Sequence, residues 1–254
     1  MSDALVCSGL TKSFGGHRAV DDLSLTIPAG SFFGICGPNG AGKTTMLRMA
    51  TGLLKPDSGT VAVDGIDVWA EEVEVKRHFG FVPDNPRLFD RLTGPEQLQY
   101  VGMLRGMDEQ TTRTRAADLL HVLDLDKDAG TLIADYSLGM TKRIGLASAV
   151  LHAPKVLILD EPFGSLDPVN TQVMEEMLNR HRAAGGTVVF SSHVMDVVER
   201  LCDRIVIIDH GAVRAEGTVA EVAGGKRLQE AFFDLVGGRD LDEGSLGWLG
   251  SSSG

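Results

Sequence analysis

Short apolar runs closed by glycine, proline or acidic turns fill the start of the chain and predict strands. Ala4-Leu5-Val6 and Leu23-Ser24-Leu25-Thr26-Ile27 flank Gly15-Gly16 and read as strands of a small sheet. Gly59-Thr60-Val61-Ala62-Val63-Asp64-Gly65 reads as a further strand ending in a turn. Ser31-Phe32-Phe33-Gly34-Ile35-Cys36 is continuously apolar, the pattern of a strand covered on both faces. From Lys43 to Gly52 the apolar Met46, Leu47, Met49 and Ala50 predict a helix, stopped by Gly52 and Pro56.

The period becomes helical over about residues 87–151. Pro95 can open a helix carrying Leu98, Val101 and Leu104. A second helix spans about Thr111 to Leu123, with Ala116, Leu119, Leu120 and Leu123 on one side, and a third follows Ser137. Strand and helix then alternate. Val156-Leu157-Ile158-Leu159 is a buried strand, Pro168 to Ala184 a helix with Val173, Met177 and His181 inward, and Thr187-Val188-Val189-Phe190 a strand. Val194 to Leu201 is a short helix, and Arg204-Ile205-Val206-Ile207-Ile208 is the last clear strand. Residues 1–236 are expected to form one domain, with the helical part about 87–151 inserted. Residues 237–254, rich in Gly, Ser and acidic residues, are expected to be a flexible tail.

At 254 residues the chain is long enough for a sizeable core. Its 35 acidic against 24 basic residues, a net charge of −11, argue against a non-specific nucleic-acid binder. Cys7, Cys36 and Cys202 are too few and too scattered for a disulfide framework or a zinc site, which suits a reducing cytoplasm. Cys36 reads as a small buried residue rather than a reactive thiol. No signal peptide is apparent, and no apolar run approaches the ~20 residues that cross a bilayer. If the protein serves a membrane process, another chain supplies the membrane part.

Candidate chemistry begins at Gly37-Pro38-Asn39-Gly40-Ala41-Gly42-Lys43-Thr44, which fits the phosphate-loop pattern at every fixed position. Its glycines let successive N–H groups turn inward as an anion nest at the start of a helix. Lys43 is placed for the β- and γ-phosphates, and the Thr44 hydroxyl for Mg²⁺. The preceding strand and following helix supply the context this motif needs.

Leu157-Ile158-Leu159-Asp160-Glu161-Pro162 ends a buried strand in two carboxylates. Asp160 suits Mg²⁺, directly or through water. Glu161 suits the orientation or deprotonation of an attacking water. Phe190-Ser191-Ser192-His193 ends the next strand with an imidazole that can contact the γ-phosphate. Glu161, His193 and Lys43 are therefore the candidate catalytic residues.

With these parts and Tyr136-Ser137-Leu138-Gly139-Met140 upstream of Asp160, the chain resembles the nucleotide-binding subunit of an ABC transporter over about residues 4–222. Ser137 and Gly139 match the family's Leu-Ser-Gly-Gly-Gln signature, whereas Leu138 and Met140 depart from it. The Tyr-Ser-Leu-Gly-Met form, followed by Lys142-Arg143, resembles the exporters of drugs, antibiotics and lipids. The resemblance implies an α/β fold with a phosphate-loop NTPase core, a small antiparallel β-subdomain and an inserted α-helical subdomain.

It also implies ATP and Mg²⁺ as cofactors. The nucleotide would be held by Gly37, Pro38, Asn39, Gly40, Ala41, Gly42, Lys43, Thr44 and Thr45, with Phe14 where an aromatic usually stacks on adenine. Ser137 and Gly139 would touch the ATP of a partner subunit in a tail-to-head homodimer or heterodimer, and Ser165-Leu166-Asp167 matches the loop that passes between the sites. Asp84, in Val82-Pro83-Asp84, stands where the family usually has a glutamine that meets the metal and the membrane subunit; with Thr44 and Asp160 it completes the candidate metal set. The implied partner is an integral membrane transporter subunit and not a nucleic acid, with the chain peripheral at the cytoplasmic face of the membrane. A soluble ABC-type ATPase without a transport partner is the alternative.

Overall fold

A computed structural model describes residues 2–164 and 166–237. Strands β1 (Asp3–Phe14) and β2 (His17–Pro28) form a long hairpin, and β3 (Phe32–Cys36) leads to the phosphate loop and helix α1 (Lys43–Ala50). Next come β4 (Ser58–Val63), the short β5 (Ile66–Asp67), α2 (Glu72–His78) and β6 (Phe79–Val82). The helical segment holds α3 (Gly94–Leu104), α4 (Glu109–Val122) and α5 (Leu138–Val150). The chain then alternates through β7 (Val156–Asp160), α6 (Pro168–Ala183), β8 (Thr187–Ser192), α7 (Met195–Leu201) and β9 (Arg204–Asp209). It closes with β10 (Ala212–Thr218), α8 (Val219–Ala223) and α9 (Leu228–Val236).

Two sheets result. The first has the order β2-β1-β4-β5 and is antiparallel throughout. The second has the order β10-β9-β3-β8-β7-β6, parallel except for the antiparallel edge strand β10. Consecutive side chains of its inner strands enter different cores, as the two-residue period requires. Phe32, Cys36, Leu157, Leu159, Val188 and Phe190 pack toward the helices. Phe33, Ile35, Val156, Ile158 and Val189 pack toward α1 and the antiparallel sheet. This is the α/β phosphate-loop NTPase fold, with the antiparallel sheet on one side and the helical insertion on the other.

The inner face of α6 is turned by one residue from the expected stripe: Met174 and Leu178 are buried, while Val173 and Met177 are only partly covered. Leu104, at the end of α3, is exposed. Arg204–Asp209 is not the last strand, because β10 pairs with it across a tight turn at His210-Gly211. Ser165 and residues 238–254 lie outside the described residues, so the expected flexible tail, apart from Gly237, lies there too.

Candidate nucleotide site

Parallel register brings the candidate residues to one edge. Cys36 pairs with Ser192 across β3 and β8, and Asp160 pairs with Ser191 across β7 and β8. The phosphate loop, Glu161 and His193 therefore leave the sheet side by side at its carboxyl end, where α/β folds place ligands. A cavity of about 250 Å³ opens there, lined by Ala19, residues 39–45, Asp84 and Glu161.

The loop enters α1 through Gly42, whose φ of 105° is left-handed. A Cβ at Gly42 would lie 2.3 Å from the Ala19 carbonyl oxygen, so only glycine fits both the angle and the space. No side chain caps α1, and its first turn holds no acidic residue. Its leading N–H groups are thus left for an anion at the positive end of the helix. By contrast Thr93, Asp108 and Asp167 cap α3, α4 and α6 with their own side chains.

Lys43 is buried, and its Nζ donates to the carbonyls of Gly37 at 2.7 Å and Pro38 at 3.2 Å. Glu161 Oε1 lies 3.7 Å away. Burial pushes the lysine pKa below its usual range, opposed by the charges of Glu161 and Asp160. The other Glu161 oxygen lies 3.0 Å from His193 Nδ1. One carboxylate thus joins the phosphate-loop lysine to the strand-end histidine.

Asp160 is buried beneath this surface and accepts a 2.6 Å hydrogen bond from the Ser191 hydroxyl. Ser191 Oγ in turn accepts from the Glu161 N–H at 3.0 Å. No local motif marks Ser191, because its importance lies in register with a residue 31 positions away. Asp84 lines the cavity, and its Oδ1 accepts from Lys142 Nζ at 3.0 Å. Ala19 on β2 carries no motif that marks it, and Lys142 on α5 enters the sequence pattern only in the Lys142-Arg143 pair after the signature, which says nothing of its contact with Asp84.

Phe14, Ser137 and Gly139 do not line this cavity. Phe14 is half-exposed at the tip of the first hairpin, its ring centroid 5.8 Å from Lys12 Nζ. Ser137 caps α5, accepting from the Met140 N–H at 3.2 Å. Its hydroxyl proton is not used by that bond and can still be donated. Among the described residues no cluster of three or more His, Cys, Asp and Glu side chains forms a ready-made metal cage.

A nest of backbone donors after β3, with carboxylates at the end of β7 across the intervening β8, makes the protein a phosphate-loop NTPase by class. The profile of the ABC transporter family matches residues 20–164. The chain belongs to that family, as an ATP-binding subunit with ATPase activity. It is 41% identical over 219 residues to the daunorubicin/doxorubicin resistance ATP-binding protein DrrA of Streptomyces peucetius, covering 86% of this chain and 66% of DrrA. It is 36% identical over 215 residues to Nod factor export ATP-binding protein I of Rhizobium sp. (strain N33), covering 85% of this chain and 71% of that protein.

Among solved structures, an ATP-binding subunit of an ABC transporter superposes with a TM-score of 0.86 at 29% identity, covering 91% of this chain and 99% of that one. The ATP-binding cassette MJ0796, solved as a dimer in a post-hydrolysis state with ADP and Pi, superposes with a TM-score of 0.78 at 27% identity, covering 85% and 98%. No helix among the described residues is long and apolar enough to cross a membrane.

Proposed function

We propose that this chain hydrolyses ATP to power export through a separate integral membrane protein, as one half of an ATP-bridged dimer at the cytoplasmic face of the membrane. The observation that carries the catalytic part is Glu161, set between Lys43 at 3.7 Å and His193 at 3.0 Å on the rim of the phosphate cavity. The loop N–H groups and Lys43 bind the phosphate oxygens. Glu161 orients a water for in-line attack on the γ-phosphorus and takes up its proton as the bond to ADP breaks. His193, with Nδ1 engaged by Glu161, has Nε2 left for the γ-phosphate.

The oxygens of Thr44, Asp160 and Asp84 are hard donors, the kind Mg²⁺ takes beside waters and phosphate oxygens; Thr44 and Asp84 line the phosphate cavity, and Asp160 lies buried one residue before Glu161. When bound, Mg²⁺ supplies positive charge at the β- and γ-phosphates. Ser191 holds Asp160 in place for that role.

Ser137 and Gly139 lie away from the chain's own cavity, which supports their use in trans on a partner's ATP. The MJ0796 cassette, solved as a dimer, supports a dimer here, and the resistance and export relatives support the direction of transport. The test is purification of the full chain from detergent-solubilised membranes of its source cell. An integral membrane protein recovered in stoichiometric amount, raising ATP turnover that Glu161→Gln abolishes, is the expected result. An active chain recovered with no integral protein would favour an ATPase that works without a transport partner.

A further inference from the structure

The signature helix contains a charge with no place in the scheme above. Lys142, on α5, is buried to 3% exposure. Its Nζ donates to the Glu161 carbonyl oxygen at 2.8 Å and to Asp84 Oδ1 at 3.0 Å. One ammonium therefore joins three separate segments: the helix begun by Ser137, the loop after β6 and the end of β7.

Glu161 needs such a tie. Its φ of 48° is left-handed, a conformation that a residue with a Cβ holds only when its surroundings impose it. Both ends of the residue are pinned. Its N–H donates to Ser191 Oγ at 3.0 Å, and its carbonyl accepts from Lys142 and, at 3.3 Å, from the Gly164 N–H. A Cβ at Gly164 would lie 3.3 Å from Lys142 Nζ and 3.5 Å from the Glu161 oxygen, so this corner is packed close around the ammonium. Burying a charge is costly, and Asp84 is half-exposed and compensates it only in part. Holding a carbonyl in a strained turn is a task that an apolar residue of the same length cannot do.

We propose that Lys142 is a positioning residue of the ATPase centre. It fixes the left-handed backbone of Glu161, and so the aim of its carboxylate, and it couples that backbone to Asp84. This rests on the reading of Glu161 as the carboxylate that prepares the water.

The test compares the full-length chain with Lys142→Met, Lys142→Arg, Lys142→Gln and Glu161→Gln. It measures kcat and KM for MgATP, ATP affinity by titration in the presence of Mg²⁺, and Tm. Lys142→Met is expected to lower kcat by about 10- to 10²-fold, the scale of misplaced catalytic groups, with ATP affinity unchanged within about threefold. Lys142→Arg, which keeps charge and donors, is expected to recover much of the loss. Lys142→Gln keeps an N–H donor without the charge and is expected to fall between Lys142→Arg and Lys142→Met. Should Lys142→Met not fold, Lys142→Leu, which also lacks a donor, takes its place. Full kcat in Lys142→Met or Lys142→Leu, with Glu161→Gln silent, overturns the positioning role alone. A parallel fall in kcat, ATP affinity and Tm that Lys142→Arg does not rescue overturns it too, marking the lysine as structural. Wild-type turnover in Glu161→Gln would instead refute the catalytic reading of Glu161.

Discussion

Glu161 Oε2 and His193 Nδ1 lie 3.0 Å apart although 32 residues separate them, because β7 and β8 end at the same level of one parallel sheet. The pair makes a two-part prediction. Glu161→Gln keeps ATP binding and loses turnover by ~10²–10⁴, the range for removing a general base. It also traps an ATP-bound dimer, visible by light scattering. His193→Ala leaves the carboxylate in place and costs less, at the low end of that range. A Glu161→Gln protein that stays monomeric at saturating ATP would count against the dimer.

Lys43→Ala is expected to reduce turnover by ~10²-fold or more and to weaken ATP binding, since it removes a positive charge from a buried anion site. Glu161 would also lose the cation 3.7 Å from its Oε1. Steady-state turnover near wild type, measured by phosphate release, would refute the assignment of the loop.

Much of this site was legible because its parts are local. The phosphate loop, the strand before it and the helix after it are contiguous, and the loop's glycines meet a backbone demand that the sequence states directly. The Asp160-Glu161 end of a four-residue apolar run is equally local. What escaped is non-local or weakly patterned. Ser191 and Lys142 matter only because folding sets them against Asp160, Glu161 and Asp84. Strand β10, Ala-Val-Arg-Ala-Glu-Gly-Thr, is a polar edge strand, so the apolar run that marks a central strand is missing. Helix α6 has apolar residues at both 173/177 and 174/178, and only packing against the sheet selects the second pair as the more buried.

Ser137→Arg is expected to stop turnover even though Ser137 does not line its own chain's cavity. A bulky cation at the start of α5 would block the partner's phosphate. Mixing these subunits with Lys43→Ala subunits gives heterodimers in which one composite site joins both lesions and the other joins two intact motifs. Partial activity is the expected outcome. None, with heterodimers confirmed by mass, would reject sites shared between chains.

Asp84 lines the phosphate cavity and is bound to Lys142 at 3.0 Å. If it meets the metal, Asp84→Gln needs more Mg²⁺ for half-maximal turnover but stays active, because an amide oxygen can still reach the ion. Asp84→Ala, with no oxygen, is worse. Titrating Mg²⁺ at fixed ATP measures both. Identical metal curves for the three proteins would remove Asp84 from the metal set.

His152 is pushed down to about pKa 4 from its usual 6.5, first by burial and then by the charge of Arg105. Its Nε2 lies 3.3 Å from the Phe79 carbonyl, and its buried Nδ1 has no partner among the described residues. The unfolded chain takes up a proton at this residue near pH 6.5, and the folded chain resists it down to about pH 4. Protons therefore favour unfolding in that window: the stability is fully present above pH 6.5 and falls progressively toward pH 4. His181, also lowered by burial, adds a contribution of the same sign. Urea midpoints measured between pH 7 and 4.5 should fall for the wild type. For His152→Leu, which cannot take up the proton, the fall should be shallower, whatever its midpoint at pH 7. Equal slopes for the two proteins would show that His152 does not set this acid sensitivity.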